Sequence, residues 1–256
     1  MTLAVISWAL DPGPTPYTPL NRNSRFVKLA REPRAVIFDM DGLLIDTVPS
    51  YAGAMVGASL DVEHPLSQDY VLSLTGLLGA ELSARLSADL GAAFPLPAYL
   101  TAVSARLEPL LEAGVPLKRG ALELLEALSK VGMPLAVATS MKRSEALRHL
   151  EVHGISRFFL HVVGRDDVSR GKPYPDLHQE AAYRLAVPPC DCAVLEDSFN
   201  GVRAAHAAGA ITIMVPDVLA PTEDIRSLCA VVIPSLHDAT RYLTQRGSIS
   251  ELEPPG

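Results

Sequence analysis

From residue 34 onward, short apolar runs alternate with stretches whose apolar residues recur at helical spacing. The runs 35–38, 135–138, 158–162, 192–195, 211–215 and 231–233 are dominated by Val, Ile, Leu, Ala and Phe. Ala35-Val36-Ile37-Phe38 has no polar alternation at all, which suits a strand buried on both faces. Between the runs, residues 121–131, 144–153, 175–185 and 201–208 show the period of a helix with one apolar stripe. Strand and helix in alternation predict the α/β class: a Rossmann-like parallel sheet with helices on both faces.

One region breaks the rhythm. From 49 to 114 no strand pattern occurs, and Leu82, Leu86 and Leu90, then Leu100, Val103, Leu107, Leu110 and Leu111, keep helical spacing. This predicts an all-helical insert after the first strand, bordered by Pro49 on one side and by Gly114 and Pro116 on the other. The expected organisation is an α/β core over 33–48 and 115–247 with a helical cap over 49–114. A flexible extension is expected over 1–32, which holds four prolines and no period, and a tail over 248–256.

Composition narrows the function classes. The 256 residues are 48% hydrophobic, enough for one large domain or a core with an insert. The net charge is −7 and no long run of Lys or Arg occurs, which argues against a nucleic-acid surface. No apolar stretch is long enough to span a bilayer. The first ten residues are apolar but lack a basic start and run into Asp11-Pro12-Gly13-Pro14, so no signal peptide and no membrane partner are expected. Cys190, Cys192 and Cys229 form no disulfide framework and lack zinc spacing, so a cytoplasmic location is expected, as a monomer or weak homodimer.

Three of the predicted strands end in polar residues: Asp39 with Asp41, Thr139 with Ser140, and Glu196-Asp197-Ser198. In an open α/β sheet the binding crevice lies beyond the carboxyl ends of the strands, so these endings are expected to converge. Carboxylates gathered there are costly to desolvate alone, and Mg²⁺ is their economical partner. Thr139-Ser140 before a helix offers a phosphate seat, and Gly171-Lys172-Pro173 offers a cation. A carboxylate nucleophile, a metal, a hydroxyl and a lysine suit phosphoryl transfer. Taken singly, each has a plainer reading: turn-forming aspartates, a Thr helix cap, a surface lysine. Gly42 suits a tight turn after Asp41. His149, His153 and His206 fall in no motif.

The run Asp39-Met40-Asp41-Gly42-Leu43-Leu44-Ile45-Asp46-Thr47 resembles the first signature of the haloacid dehalogenase superfamily. Thr139 resembles its second motif, Lys172-Pro173 its third, and Glu196-Asp197-Ser198 with Gly201 its fourth, in order, over about 34–245. The insert after the first motif resembles the β-phosphoglucomutase-like subgroup with a helical cap. The resemblance implies Asp39 as nucleophile and Asp41 as general acid and base. It implies Mg²⁺ on the Asp39 side chain, the Asp41 carbonyl and Asp197, with Glu196 as a ligand or a partner of the ligands. Thr139, the Ser140 backbone and Lys172, with the Gly42 turn beside them, would hold the phosphoryl group. Asp46 and Thr47 are expected to fix the turn into the cap. Lys142 and Arg143 follow the phosphate seat, as contacts for the distal part of a substrate or as a solvated helix start.

Dehalogenases of this superfamily lack the second aspartate and need no metal, so Asp41 points to phosphate chemistry. The insert carries Arg85 and Arg106, no lysine and seven acids, a net −5 and a poor clamp for a bisphosphate. Thr75 and Gly79 stand where the mutases carry cap cations, and Tyr51 where they carry a histidine. The expected reaction is Mg²⁺-dependent hydrolysis of a small phosphomonoester, a sugar or polyol phosphate, through an aspartyl-phosphate. The alternatives are a β-phosphoglucomutase-type mutase and a non-catalytic binding or regulatory protein. A C–P hydrolase would need a lysine in the insert, which has none. Specificity is expected from residues near 76–80.

Overall fold

Ala35–Phe38 forms β1, and its four side chains are completely buried. The computed structural model describes residues 29, 31–75, 77, 79–112 and 114–244. The expected tail, most of the expected extension, and positions 76 and 78 of the expected specificity segment lie outside them. The other strands are β2 (Leu135–Ala138), β3 (His161–Val163), β4 (Cys192–Glu196), β5 (Ile211–Met214) and β6 (Val231–Val232). All pair in parallel in the order β3-β2-β1-β4-β5-β6.

Helices α1 (Thr47–Asp61), α2 (Gln68–Leu72), α3 (Gly79–Leu90) and α4 (Leu96–Glu112) follow β1. The core helices are α5 (Ala121–Lys130), α6 (Arg143–Val152), α7 (Asp176–Arg184), α8 (Phe199–Ala207), α9 (Glu223–Ser227) and α10 (Leu236–Thr244). The period of two in β1 sorts them onto the two faces. Val36 and Phe38 pack with Leu124 and Leu128 of α5, Leu150 of α6 and Leu243 of α10. Ala35 and Ile37 pack with Leu177 and Ala181 of α7 and Ala205 of α8. The sheet is thus covered on both sides, as its unbroken apolar strands require.

The third strand differs from its expected span of 158–162. Phe158 closes a 3-10 turn, Ser156–Phe158, and the Phe159 ring packs edge-on against Phe38 at 6.0 Å. These aromatics are apolar because they lie against the sheet from outside, not because they belong to it. Helix α8 also begins two residues early, at Phe199, because the Ser198 hydroxyl accepts the Gly201 N–H at 3.1 Å and caps it.

Helices α1–α4 enclose a separate apolar cluster that includes Met55, Val71, Leu86, Phe94 and Tyr99. Tyr99 is fully buried, and its hydroxyl donates to the Met55 carbonyl at 3.2 Å. The chain enters and leaves this lobe side by side. Ile45 and Leu117 form an antiparallel bridge, and Asp46 N–H donates to the Pro116 carbonyl at 2.8 Å. Lys118 Nζ donates to Asp46 Oδ1 at 2.8 Å and to Asp217 Oδ1, in the loop after β5, at 2.6 Å.

Candidate active site

The strand order reverses between β1 and β4, and a crevice opens beyond their carboxyl ends. Asp39 follows β1 directly, and its N–H donates to the Leu195 carbonyl at 3.1 Å, extending the ladder by one residue. The chain then turns sharply. Gly42 takes φ +83°, and its N–H is spent on the Ile45 carbonyl at 2.9 Å. A Cβ at Gly42 would fall 2.2 Å from Asp197 Oδ2, so only glycine lets this turn lie against the end of β4. Gly201 plays the same part in α8, where a Cβ would fall 1.8 Å from Glu196 Oε2.

Lys172 reaches the crevice from the loop before α7. Its Nζ lies 2.6 Å from Asp39 Oδ1 and 2.6 Å from Glu196 Oε1. His178, in the first turn of α7, is buried with Nε2 3.2 Å from the same Glu196 oxygen. Thr139 is fully buried after β2; its hydroxyl accepts the Met141 N–H at 3.1 Å and donates to Asp41 Oδ2 at 3.5 Å. A cavity of about 1370 Å³ opens over these groups, between the core and the helical lobe. Asp39, Asp41, Ser140, Lys172 and Asp197 line it, whereas Thr139, Glu196 and Gly42 stand behind its wall.

Four carboxyls here face one ammonium. Burial raises the Asp39 carboxyl above its ordinary value, the Glu196 charge adds to this, and Lys172 offsets part of it. Asp197 is held well above the ordinary range by burial, then by the charges of Asp39 and Glu196. Asp41 is pushed up to about 7, by burial first and the Asp39 charge second. Burial opposes ionisation of Glu196, but Lys172 and His178 outweigh it and hold this carboxyl low. Burial alone would pull the Lys172 ammonium down; Asp39 and Glu196 outweigh it and hold the ammonium charged.

The cluster is therefore short of positive charge. One oxygen each from Asp39, Glu196 and Asp197 lies within 4.8 Å of the others. Asp41 Oδ1 and Asp197 Oδ1 are buried without a hydrogen-bond partner among the described residues. An all-oxygen, multiply anionic donor set with orphaned oxygens fits a small hard divalent cation.

Sequence reasoning passed over two residues of this region. Asp217 lines the cavity and follows β5, so the rule that picked out the other strand ends applies to it equally. His178 stands on the buried stripe of α7 with Leu177, Ala181 and Ala182, and a lone polar residue on such a stripe is the signal for a buried partner.

The profile of the haloacid dehalogenase-like hydrolases matches residues 36–215. A probable pseudouridine-5'-phosphatase of Drosophila melanogaster is 35% identical over 202 residues, covering 74% of this chain and 84% of that protein. The bifunctional riboflavin kinase/FMN phosphatase of Arabidopsis thaliana is 32% identical over 187 residues, 72% of this chain; the match spans about half, 48%, of that protein. Among solved structures, a putative beta-phosphoglucomutase from Thermotoga maritima superposes with a TM-score of 0.68 at 29% identity, covering 82% of this chain and 98% of that one.

Proposed function

The chain belongs to the haloacid dehalogenase-like hydrolase family, and from that membership we propose that it hydrolyses a small phosphomonoester through a phosphorylated Asp39. The observation that carries the reading is the ion pair of Lys172 with Asp39 on the wall of the cavity, with Asp41 beside it. Asp39 attacks phosphorus as the ester P–O bond breaks, and Asp41 gives its proton to the departing oxygen. Asp41 then takes a proton from water, which attacks the same phosphorus and frees Asp39 with release of phosphate. Lys172 offsets the charge of the nucleophile and the phosphoryl oxygens. Thr139 orients Asp41, and the Ser140 backbone, in the loop between β2 and α6, faces the phosphoryl group.

Asp39, Asp197 and Glu196 are the residues that would hold Mg²⁺. When bound, it supplies the positive charge that draws two anions, carboxylate and phosphate ester, together. The helical lobe acts as the cap that shields the site. The three free cysteines suit a cytoplasmic protein, and no helix among the described residues is long and apolar enough to cross a membrane.

Hydrolysis is favoured over phosphosugar transfer by the lobe's own charges. Arg106 does not line the cavity, and Arg85, the one lobe arginine among the described residues that does, already pairs with Asp89 at 2.6 Å, which leaves the lobe a single shared cation for a second phosphate. The test is a phosphate-release screen over metabolite phosphates, run with Mg²⁺ and again with a chelator. Turnover that chelation removes is expected; no release from any member would overturn the reading.

The same cluster predicts a pH-dependent response to the metal. An acid whose folded pKa is raised destabilises the fold as pH climbs from its unfolded to its folded value. For Asp41 that interval runs from 3.8 to about 7. The metal-free protein is expected to lose thermal stability across it, and the gain in Tm on adding Mg²⁺ should grow from pH 5 to pH 8. Melting curves at four pH values check this; a metal-induced gain that is flat or falls with pH would count against the assignment.

A further inference from the structure

We propose that the substrate's leaving group is an apolar body, an alkyl or aryl group of several carbons, seated against the helical lobe. The inference rests on the phosphatase reading and assigns its substrate class, in place of the sugar or polyol expected from the sequence.

The cavity runs without a break from Asp39 to the lobe, and its volume of about 1370 Å³ far exceeds what a phosphoryl group fills. On the lobe side, α1 presents Val48 and Met55, the segment before α3 presents Leu77, and α4 presents Leu100, Val103 and Leu107. Positions 48 and 55, and 100, 103 and 107, recur at helical spacing, so each helix turns apolar side chains to the crevice, with Tyr51 of α1 and Ser104 and Glu108 of α4 among them. Met55, Leu77, Leu100 and Val103 are also part of the lobe's apolar cluster with Tyr99, Leu86 and Phe94, so the wall of the crevice is the edge of that cluster, and Val48 and Leu107 extend it.

Tyr51, Thr75 and Glu108 on the same wall make no side-chain hydrogen bond or ion pair among the described residues; the other polar groups there are committed elsewhere. Arg85 holds Asp89, the Ser73 hydroxyl donates to the Tyr70 carbonyl at 2.6 Å, and the Ser104 hydroxyl donates to the Leu100 carbonyl at 3.1 Å. Glu81 accepts from Asn200 of α8 at 3.1 Å. A polyhydroxylated group placed here would exchange its water for three open polar side chains at most, a loss apolar carbon does not incur. Lys142 and Arg148, whose side chains make no hydrogen bond or ion pair among the described residues, line the core side of the cavity on and before α6. Charge recognition therefore stays with the core, and the lobe reads the hydrocarbon.

The test compares two esters with the same carbon count, n-hexyl phosphate and a hexitol 6-phosphate, within a series of primary alkyl phosphates from ethyl to octyl. Leaving alcohols in the alkyl series are chemically alike, so chain length reports the pocket. With Mg²⁺, kcat/KM is expected to rise roughly threefold per added methylene and to favour hexyl over hexitol phosphate by at least about tenfold. Val103→Asn should flatten that slope. The same pair is also titrated by calorimetry into Asp39→Asn, which reads binding without turnover. Tighter binding of the hexyl ester supports the inference even if no phosphate is released, in which case the phosphatase reading alone fails. Preference for the hexitol ester, or a flat alkyl series, overturns the inference while phosphate release upholds the reading. Neither binding nor release overturns both.

Discussion

Asp39→Asn should reduce phosphate release by roughly 10⁴-fold or more, the scale on which hydrolases lose activity when their nucleophile is removed. The amide matches the carboxylate in shape but cannot attack phosphorus. The fold should survive the change. Asp39 is one of four carboxyls facing a single lysine, and its own carboxyl is raised by burial and by the Glu196 charge. Removing one negative charge from a cluster already over-supplied with them leaves Lys172 with Glu196 at 2.6 Å. The melting temperature of the metal-free protein is therefore expected not to fall. Rapid acid quench during turnover should trap phosphorylated enzyme from the parent chain and none from the variant. Activity within tenfold of the parent would remove Asp39 from the nucleophile's role.

Asp41→Asn should cost about 10²–10⁴-fold, and unequally across substrates. Burial and the Asp39 charge bring Asp41 to about 7, where one carboxyl can both give and take a proton near neutrality. An alkyl leaving group needs that proton; an aryl leaving group with an acidic phenol scarcely does. The variant should thus lose most of its rate on alkyl phosphates, yet still transfer phosphorus from an aryl phosphate and accumulate phosphorylated Asp39. The accumulation follows because water, in the second half, lacks its base. Equal loss on both ester classes, with no accumulation, would leave Asp41 a merely structural residue.

How much of this was legible in the sequence depends on where each signal resides. β1, β2 and β4 were readable because a strand buried on both faces has to be apolar at every position, and the polar residue that follows marks its carboxyl end. The convergence of Asp39, Ser140 and Asp197 then follows from parallel pairing alone. Phe158 and Phe159 misled because packing against a sheet and belonging to one leave the same apolar trace. The tie from His178 to Glu196 could not be read from local pattern, since it joins the first turn of α7 to the end of β4. The commitment of the lobe's two arginines was equally hidden. Composition counts charges, while only the fold shows Arg106 spent on Asp61, 45 residues away.

The two crossings between core and lobe meet at one place, bridged at Ile45 and Leu117 and gripped by Lys118. An opening that preserves those bonds is a swing of the lobe about that point. A door hung so has its travel at the far edge, where Glu81 of α3 meets Asn200 of α8. The hinge side stays in register, so the hydrocarbon wall returns to the same place over Asp39 at every closing.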